Sequence, residues 1–147
     1  MEIREVTDNK RDYLPLLLLG DEQESMIARY LDRGTLYVLD DQGVKGLCVV
    51  TDEGGGVLEL KNLAVEPAFQ GKGYGRALIE FLARRYKGQY AVLQAGTGDS
   101  PLTVPFYKKC GFVRSHVVKD FFLQNYDHPI WEGGVQLRDM VYFQRAL

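Results

Sequence analysis

Val57-Leu58-Glu59-Leu60-Lys61-Asn62-Leu63-Ala64-Val65, then Glu66-Pro67-Ala68-Phe69, then Gln70-Gly71-Lys72-Gly73-Tyr74-Gly75-Arg76, is the stretch that decides how this chain folds. Its first nine residues are mostly apolar on both alternating faces, as in a strand covered on each side of a sheet. Pro67 ends that strand, because proline has no N–H to give a ladder. From Tyr74 onward Leu78, Phe81 and Leu82 recur at helical spacing, Arg76, Glu80, Arg84 and Lys87 take the other faces, and Gly88 supplies a stop. Strand, glycine loop and helix therefore follow one another directly.

A junction of this kind binds anions. The first turn of a helix leaves four N–H groups without intrahelical partners, and the peptide dipoles add roughly half a positive charge there. Gly71, Gly73 and Gly75 let a ligand approach the backbone, and Lys72 and Arg76 add positive charge, so the loop suits phosphate or pyrophosphate. A dinucleotide fingerprint requires glycine three residues after Gly73, where Arg76 stands, and a P-loop requires a Gly-Lys-Ser/Thr that is missing. What is present is Gln-x-x-Gly-x-Gly directly after a strand ending Leu-Ala-Val-x-Pro. This resembles the acetyl-CoA-binding motif of the GNAT N-acetyltransferases.

Outward from that motif, the chain reads as one domain over 1–147. Its 147 residues suffice for one sizeable core, and 46% hydrophobic with 26% charged residues is an ordinary globular composition. A net charge of -2 lacks the basic excess of a nucleic-acid binder. The longest apolar run, Leu14 to Leu19 around Pro15, is too short to span a bilayer, so no membrane role is expected. Cys48 and Cys110 stand in apolar contexts and read as buried free thiols in a reducing, cytoplasmic compartment. His116 and His128 have no second ligand at metal spacing, so no metal is expected.

On the N-terminal side, Met1 to Val6 reads as a short strand and the region from Asn9 as two short helices meeting at Gly20-Asp21. Thr35 to Asp40 and Val44 to Thr51 form a hairpin through Asp40-Asp41-Gln42-Gly43, and Gly54-Gly55-Gly56 turns the chain into the central strand. On the C-terminal side, Gln89 to Ala95 is another strand. Ser100-Pro101 reads as an N-cap with proline at the first helical position, and Pro105 implies a short or kinked helix. Phe112 to Val118 and Gly134 to Arg145 read as two strands that pair. The connection 119–133 is too long and too aromatic for a simple hairpin loop and reads as a functional cover. The fold class is α/β (α+β), with a mixed central sheet of about seven strands and flanking helices.

A second signature supports the resemblance: Tyr107-Lys108-Lys109-Cys110-Gly111-Phe112 has the family's Tyr-x-x-x-Gly-Phe spacing. The resemblance implies acetyl-CoA as cosubstrate, contacted by Leu63, Ala64, Val65, Gln70, Gly71, Lys72, Gly73, Tyr74, Gly75, Arg76, Ser100 and Tyr107. It implies a splay between the central strand and the one after the helix, where the pantetheine lies. Ser100 occupies the position, seven residues before the tyrosine, where many members have asparagine. The resemblance also implies pairing through the C-terminal strands, which the apolar last strand allows, giving a homodimer.

Acetyl transfer to an amine sets three tasks. A lysine-like amine has a pKa near 10.4, so its neutral form at pH 7 costs about 4 to 5 kcal/mol unless the site helps. The carbonyl oxygen needs stabilisation, and the departing thiolate needs a proton. Glu59 is the one carboxylate within the central strand and the candidate base; its alternative is an ion pair with Lys61 on the same face. The family places the oxyanion donor at the Leu63 backbone N–H and the acid at Tyr107. Glu59, Tyr126, Asp127, His128, Trp131 and Glu132 are candidates for lining the acceptor site, and the acidic elbow Asp21, Glu22, Glu24 borders that side, although acids there are also good helix-start chemistry. The expected function is transfer from acetyl-CoA to a primary amine of a small molecule. The alternatives are a protein N-terminus or lysine as acceptor, or an acetyl-CoA sensor without turnover.

Overall fold

A computed structural model describes residues 1–147. The strands are β1 (Glu2–Val6), β2 (Thr35–Asp40), β3 (Val44–Asp52), β4 (Val57–Val65), β5 (Val92–Gly98), β6 (Val113–Val118), β7 (Trp131–Glu132), β8 (Val135–Gln136) and β9 (Met140–Ala146). The helices are α1 (Leu14–Gly20), α2 (Glu24–Ile27), α3 (Tyr74–Tyr86), α4 (Val104–Lys109) and α5 (Phe121–Asn125), with short 3-10 turns at Lys10–Tyr13 and Pro67–Phe69. Seven strands form one mixed sheet in the order β1-β2-β3-β4-β5-β9-β6, and β7-β8 is a separate small hairpin. Only β4 and β5 run parallel, as the intervening α3 crossover requires.

Each face of the sheet carries its own core. Leu78, Ile79 and Leu82 of α3 pack with Leu58, Leu60 and Leu93 on one side. Leu16 and Leu17 of α1 pack with Leu31, Leu36, Val49 and Ala64 on the other. Burial on both faces explains why β4 lacks the polar alternation of a half-exposed strand. Pro67 ends β4 in a 3-10 turn, and Gly88, at φ 82°, stands just past the end of α3 in the left-handed conformation that stops helices.

Two sequence expectations are corrected. The helix expected from Ser100-Pro101 begins at Val104, with Pro105 in its first turn, where a missing N–H costs nothing. The strand expected over Gly134 to Arg145 is divided: Gly133 and Gly134, both at positive φ, turn β7 into β8, and β9 starts only at Met140. The basis expected for a homodimer also changes. β9 pairs with β5 on one side and β6 on the other, so the last strand has no free edge. The edges of the sheet are β1 and β6, and β6 is exposed along its whole length.

Candidate active site

The site is made by two interruptions of β4. Opposite β3, the register slips between Val49 and Val50: Asn62 faces Val49 while Leu60 faces Val50, so Lys61 is an extra, bulged residue. The bulge reverses the alternation. Leu58 and Leu60 belong to the α3-side core, yet Ala64, also an even-numbered position, belongs to the α1-side core. Opposite β5, parallel pairing ends at Leu60 with Ala95, although β4 continues to Val65 and β5 to Gly98. The strands separate there, which is the splay that the family resemblance implies.

The backbone of β4 beyond the bulge is aimed at that gap. Glu66 N donates to Lys45 O at 2.8 Å, and an antiparallel ladder alternates between bonded and non-bonded pairs. Residues 63 and 65 therefore turn their N–H and C=O groups away from β3 and toward the departed β5. The Val65 carbonyl accepts a bond from the Gln70 side chain at 3.0 Å, while the Leu63 N–H faces the gap.

Two cavities of about 220 Å³ each open from this splay. The first is lined by Leu63, Thr97, Thr103, Tyr107 and Glu132. The second is lined by Met26, Arg29, Arg33, Glu59 and Tyr142. Both are lined by Asp21, Leu60, Lys61, Gly96, Tyr126 and Met140, so they lie side by side in one cleft and share those residues as a common wall.

Glu59 lies in the second cavity, 6% exposed. Its carboxylate pairs with Lys61 Nζ and accepts a bond from Gln94 Nε2 at 2.7 Å, and Gln94 in turn accepts from Gln144 Nε2 at 2.9 Å. Glu59, Gln94 and Gln144 stand directly opposite one another on β4, β5 and β9. This polar rung holds the carboxylate in place. The alternative reading of Glu59, an ion pair with Lys61, is formed.

Tyr107 lies in the first cavity, its ring stacked on Phe143 with centroids 6.1 Å apart and edge-on to Phe106 and Phe112 at 5.3 and 5.4 Å. Burial pushes its phenol well above the ordinary tyrosine value. It therefore stays protonated throughout the neutral range.

The glycine loop has the room an anion needs. Gly71 and Gly73 sit at φ 76° and 90°, and a Cβ on either would meet nothing within 4 Å. Gly75 is tighter, because a Cβ there would approach the Phe106 ring at 3.2 Å. Gly73 caps α3, so the first N–H groups of that 13-residue helix point out of the loop. Lys72 is exposed beside it, and Arg76 stands in the helix's first turn. These residues fit the phosphates of a CoA ester, and the splay fits its extended arm.

Some expected contacts lie elsewhere. The Tyr74 hydroxyl donates to Asp41 at 2.7 Å and so faces the β2–β3 turn. Ser100 is buried with its hydroxyl donated to Glu132 at 2.6 Å, and Glu132, not Ser100, lines the cleft. Trp131 is 62% exposed and lines neither cavity. Asp127 is also outside both and bonds His128 Nδ1 at 2.6 Å. Tyr126 does reach the cleft, and so do Asp21 and Glu22 of the acidic elbow. Asp21 is the better placed. It accepts bonds from Tyr126 at 2.6 Å and Tyr30 at 3.1 Å, and burial raises its pKa against those bonds. The run of acids at the elbow is a sequence signal for Asp21, and Glu132 is marked as a carboxylate of the aromatic connection; Arg29 and Gln94 carry no such signal.

The connection 119–133 covers the cleft and is fastened to the elbow. Besides Tyr126 to Asp21, the Asp127 N–H donates to Gln23 at 3.0 Å, Arg29 donates to Asn125 at 3.0 Å, and His128 Nε2 meets Glu22 at 3.2 Å. Bonds to Asp127 and then Glu22 raise the His128 pKa above its ordinary value. A raised histidine pKa contributes stability that is complete below about pH 6.5 and fades as pH rises through the folded value. The His128 ring should titrate by NMR with a midpoint above about 6.5, and Glu22→Gln should lower it; a midpoint at or below that value would mean the fastening does not form.

The comparisons with known proteins agree with this geometry. The Acetyltransferase (GNAT) domain profile matches residues 32–114. The uncharacterized N-acetyltransferase YvbK of Bacillus subtilis is 33% identical over 144 residues, spanning 96% of this chain and 92% of that protein. Among solved structures, a GNAT family acetyltransferase from Elizabethkingia anophelis with acetyl-CoA bound superposes with a TM-score of 0.93 at 33% identity, covering 99% of this chain and 97% of the other. An IAA acetyltransferase from Bacillus cereus gives 0.92 at 34% identity, covering 99% of each chain. With the glycine loop, the splayed strands and these relatives in agreement, the chain belongs to the GNAT acetyltransferases and takes its acetyl group from acetyl-CoA.

Proposed function

We propose that this enzyme acetylates the primary amine of a small molecule by direct transfer, with both substrates held together in the cleft. The observation that carries this reading is the adjacency of the two cavities, which share Asp21, Leu60, Lys61, Gly96, Tyr126 and Met140. An acceptor in the second cavity meets Glu59, and the first cavity presents the Leu63 N–H and Tyr107. Neither cysteine lines the cleft, and burial raises both thiol pKa values, so a covalent acyl-cysteine route lacks its nucleophile. The cover over residues 119–133 narrows the acceptor side and favours a small molecule over a protein chain. Buried free thiols also suit a cytoplasmic enzyme.

Bound acetyl-CoA supplies the thioester carbonyl. Glu59, or a water it holds, takes the proton that the amine must lose. The Leu63 N–H donates to the carbonyl oxygen as negative charge gathers there. An ammonium loses two protons in becoming an amide: Glu59 takes the first, and the second balances the proton that Tyr107 Oη gives to the departing sulfur, so one proton is released for each acetyl group transferred. Release of free thiol from acetyl-CoA, measured against a panel of amino acids, polyamines and aminoglycosides, should depend on a primary amine. Tight acetyl-CoA binding without release for any amine would refute the proposal.

A further inference from the structure

The charges lining the second cavity do not all pair. Arg33 donates to Glu53 at 3.0 Å, and Lys61 is paired with Glu59. Arg29 differs: its guanidinium meets the neutral amide of Asn125. Asp21 differs in the opposite sense, since its two oxygens accept from the phenols of Tyr30 and Tyr126. Arg29 is near enough to act on the Asp21 pKa, downward, yet no ion pair joins the two. The cleft thus presents one carboxylate and one guanidinium, each held by neutral partners and each able to accept an opposite charge. Met26, Met140, Phe121 and Tyr142 line the same cavity and supply its apolar surface.

Resting on the amine-acetylation reading of this cleft, we infer that the acceptor is zwitterionic: an amino acid with an apolar side chain, its ammonium at Asp21 and its carboxylate at Arg29. Asp21 lines both cavities, so an ammonium bound there lies between Glu59 and the cavity of Leu63 and Tyr107. The planar fork of Arg29 suits a carboxylate, which it can meet with two parallel bonds. A polyamine is disfavoured by the same arrangement, because its second cation would enter a cavity that already holds Arg29, Arg33 and Lys61 against Glu59 and Asp21. A protein N-terminus is disfavoured as well, since its α-carboxyl is consumed in a peptide bond.

The test compares each amino acid with its carboxamide, which removes the negative charge; the amide's α-amine is also the more readily deprotonated, so a preference for the acid runs against amine basicity and reports the carboxylate. Thiol release from acetyl-CoA should be followed for phenylalanine, leucine and methionine, their amides, and spermidine. The acids should exceed the amides in kcat/KM by roughly tenfold or more, as expected for a charge-assisted contact. In Arg29→Gln the KM of the acids should rise to that of the amides, and Arg29→Lys should restore part of the difference. Asp21→Asn should raise KM for acid and amide alike, because both keep the ammonium. Equal use of acid and amide by the native enzyme, or an acid preference that survives Arg29→Gln, would overturn the inference. Turnover of spermidine alone would overturn it too while leaving amine acetylation standing; no turnover of any amine would instead remove the function proposed above.

Discussion

Replacing Tyr107 with phenylalanine should lower kcat by about 10²-fold or more, the range in which positioned general acids act. The ring of Tyr107 is enclosed by Phe106, Phe112 and Phe143, and phenylalanine keeps all of that packing. The variant therefore loses one hydroxyl and leaves no cavity, so its unfolding midpoint should stay within a few degrees of the native one. Because burial raises the phenol pKa, the native protein holds this proton throughout the neutral range. The associated stability is complete below the unfolded value near pH 10 and is lost only as pH rises beyond it. Steady-state thiol release, read with a thermal melt by circular dichroism, checks both expectations. A kcat within threefold of native would show that the sulfur takes its proton from another source.

The second large effect is expected of Glu59→Gln, with kcat falling by about 10² to 10⁴-fold. The substitution keeps the size of the side chain and its place in the rung with Gln94 and Gln144, but removes the negative charge. Lys61 complicates the outcome, since it loses its main partner and keeps only the distant Glu53, at 3.8 Å. Lys61→Met separates the two roles. If Glu59 served only to neutralise Lys61, then Lys61→Met combined with Glu59→Gln would recover activity. As a base, Glu59 is needed whether or not Lys61 is present, and the double variant should remain as slow as Glu59→Gln. Recovery in the double variant would assign Glu59 to the ion pair and leave deprotonation to another group.

Local sequence marks both residues: Tyr107 by its spacing to Gly111 and Phe112, and Glu59 as the lone carboxylate of a buried strand. Their surroundings carry no such mark. Gln94 lies 35 residues from Glu59 and meets it only because the parallel register sets them opposite. Ser100 has the right distance from Tyr107 to touch the cofactor, yet its hydroxyl is drawn to Glu132, 32 residues on, once the β7–β8 hairpin folds over it. Trp131 and Asp127 suit the acceptor by composition, and the same hairpin and turn carry them to the surface.

By itself the sequence determined the order of elements around residues 57–88, the glycine loop at the start of a helix and the family to which that loop points. Those features depend on neighbouring residues: a two-residue or 3.6-residue period, a proline that cannot donate, glycines free to take positive φ. The tertiary structure alone decided three things. It placed the bulge at Lys61, which reverses the faces of β4. It ended the β4–β5 pairing at Leu60, which frees the backbone of Leu63. It also joined Asp21 to Tyr126 across 105 residues, closing one side of the cleft. Each depends on register and on contacts between distant segments, and a strand's period of two is equally satisfied by registers that would leave these groups apart.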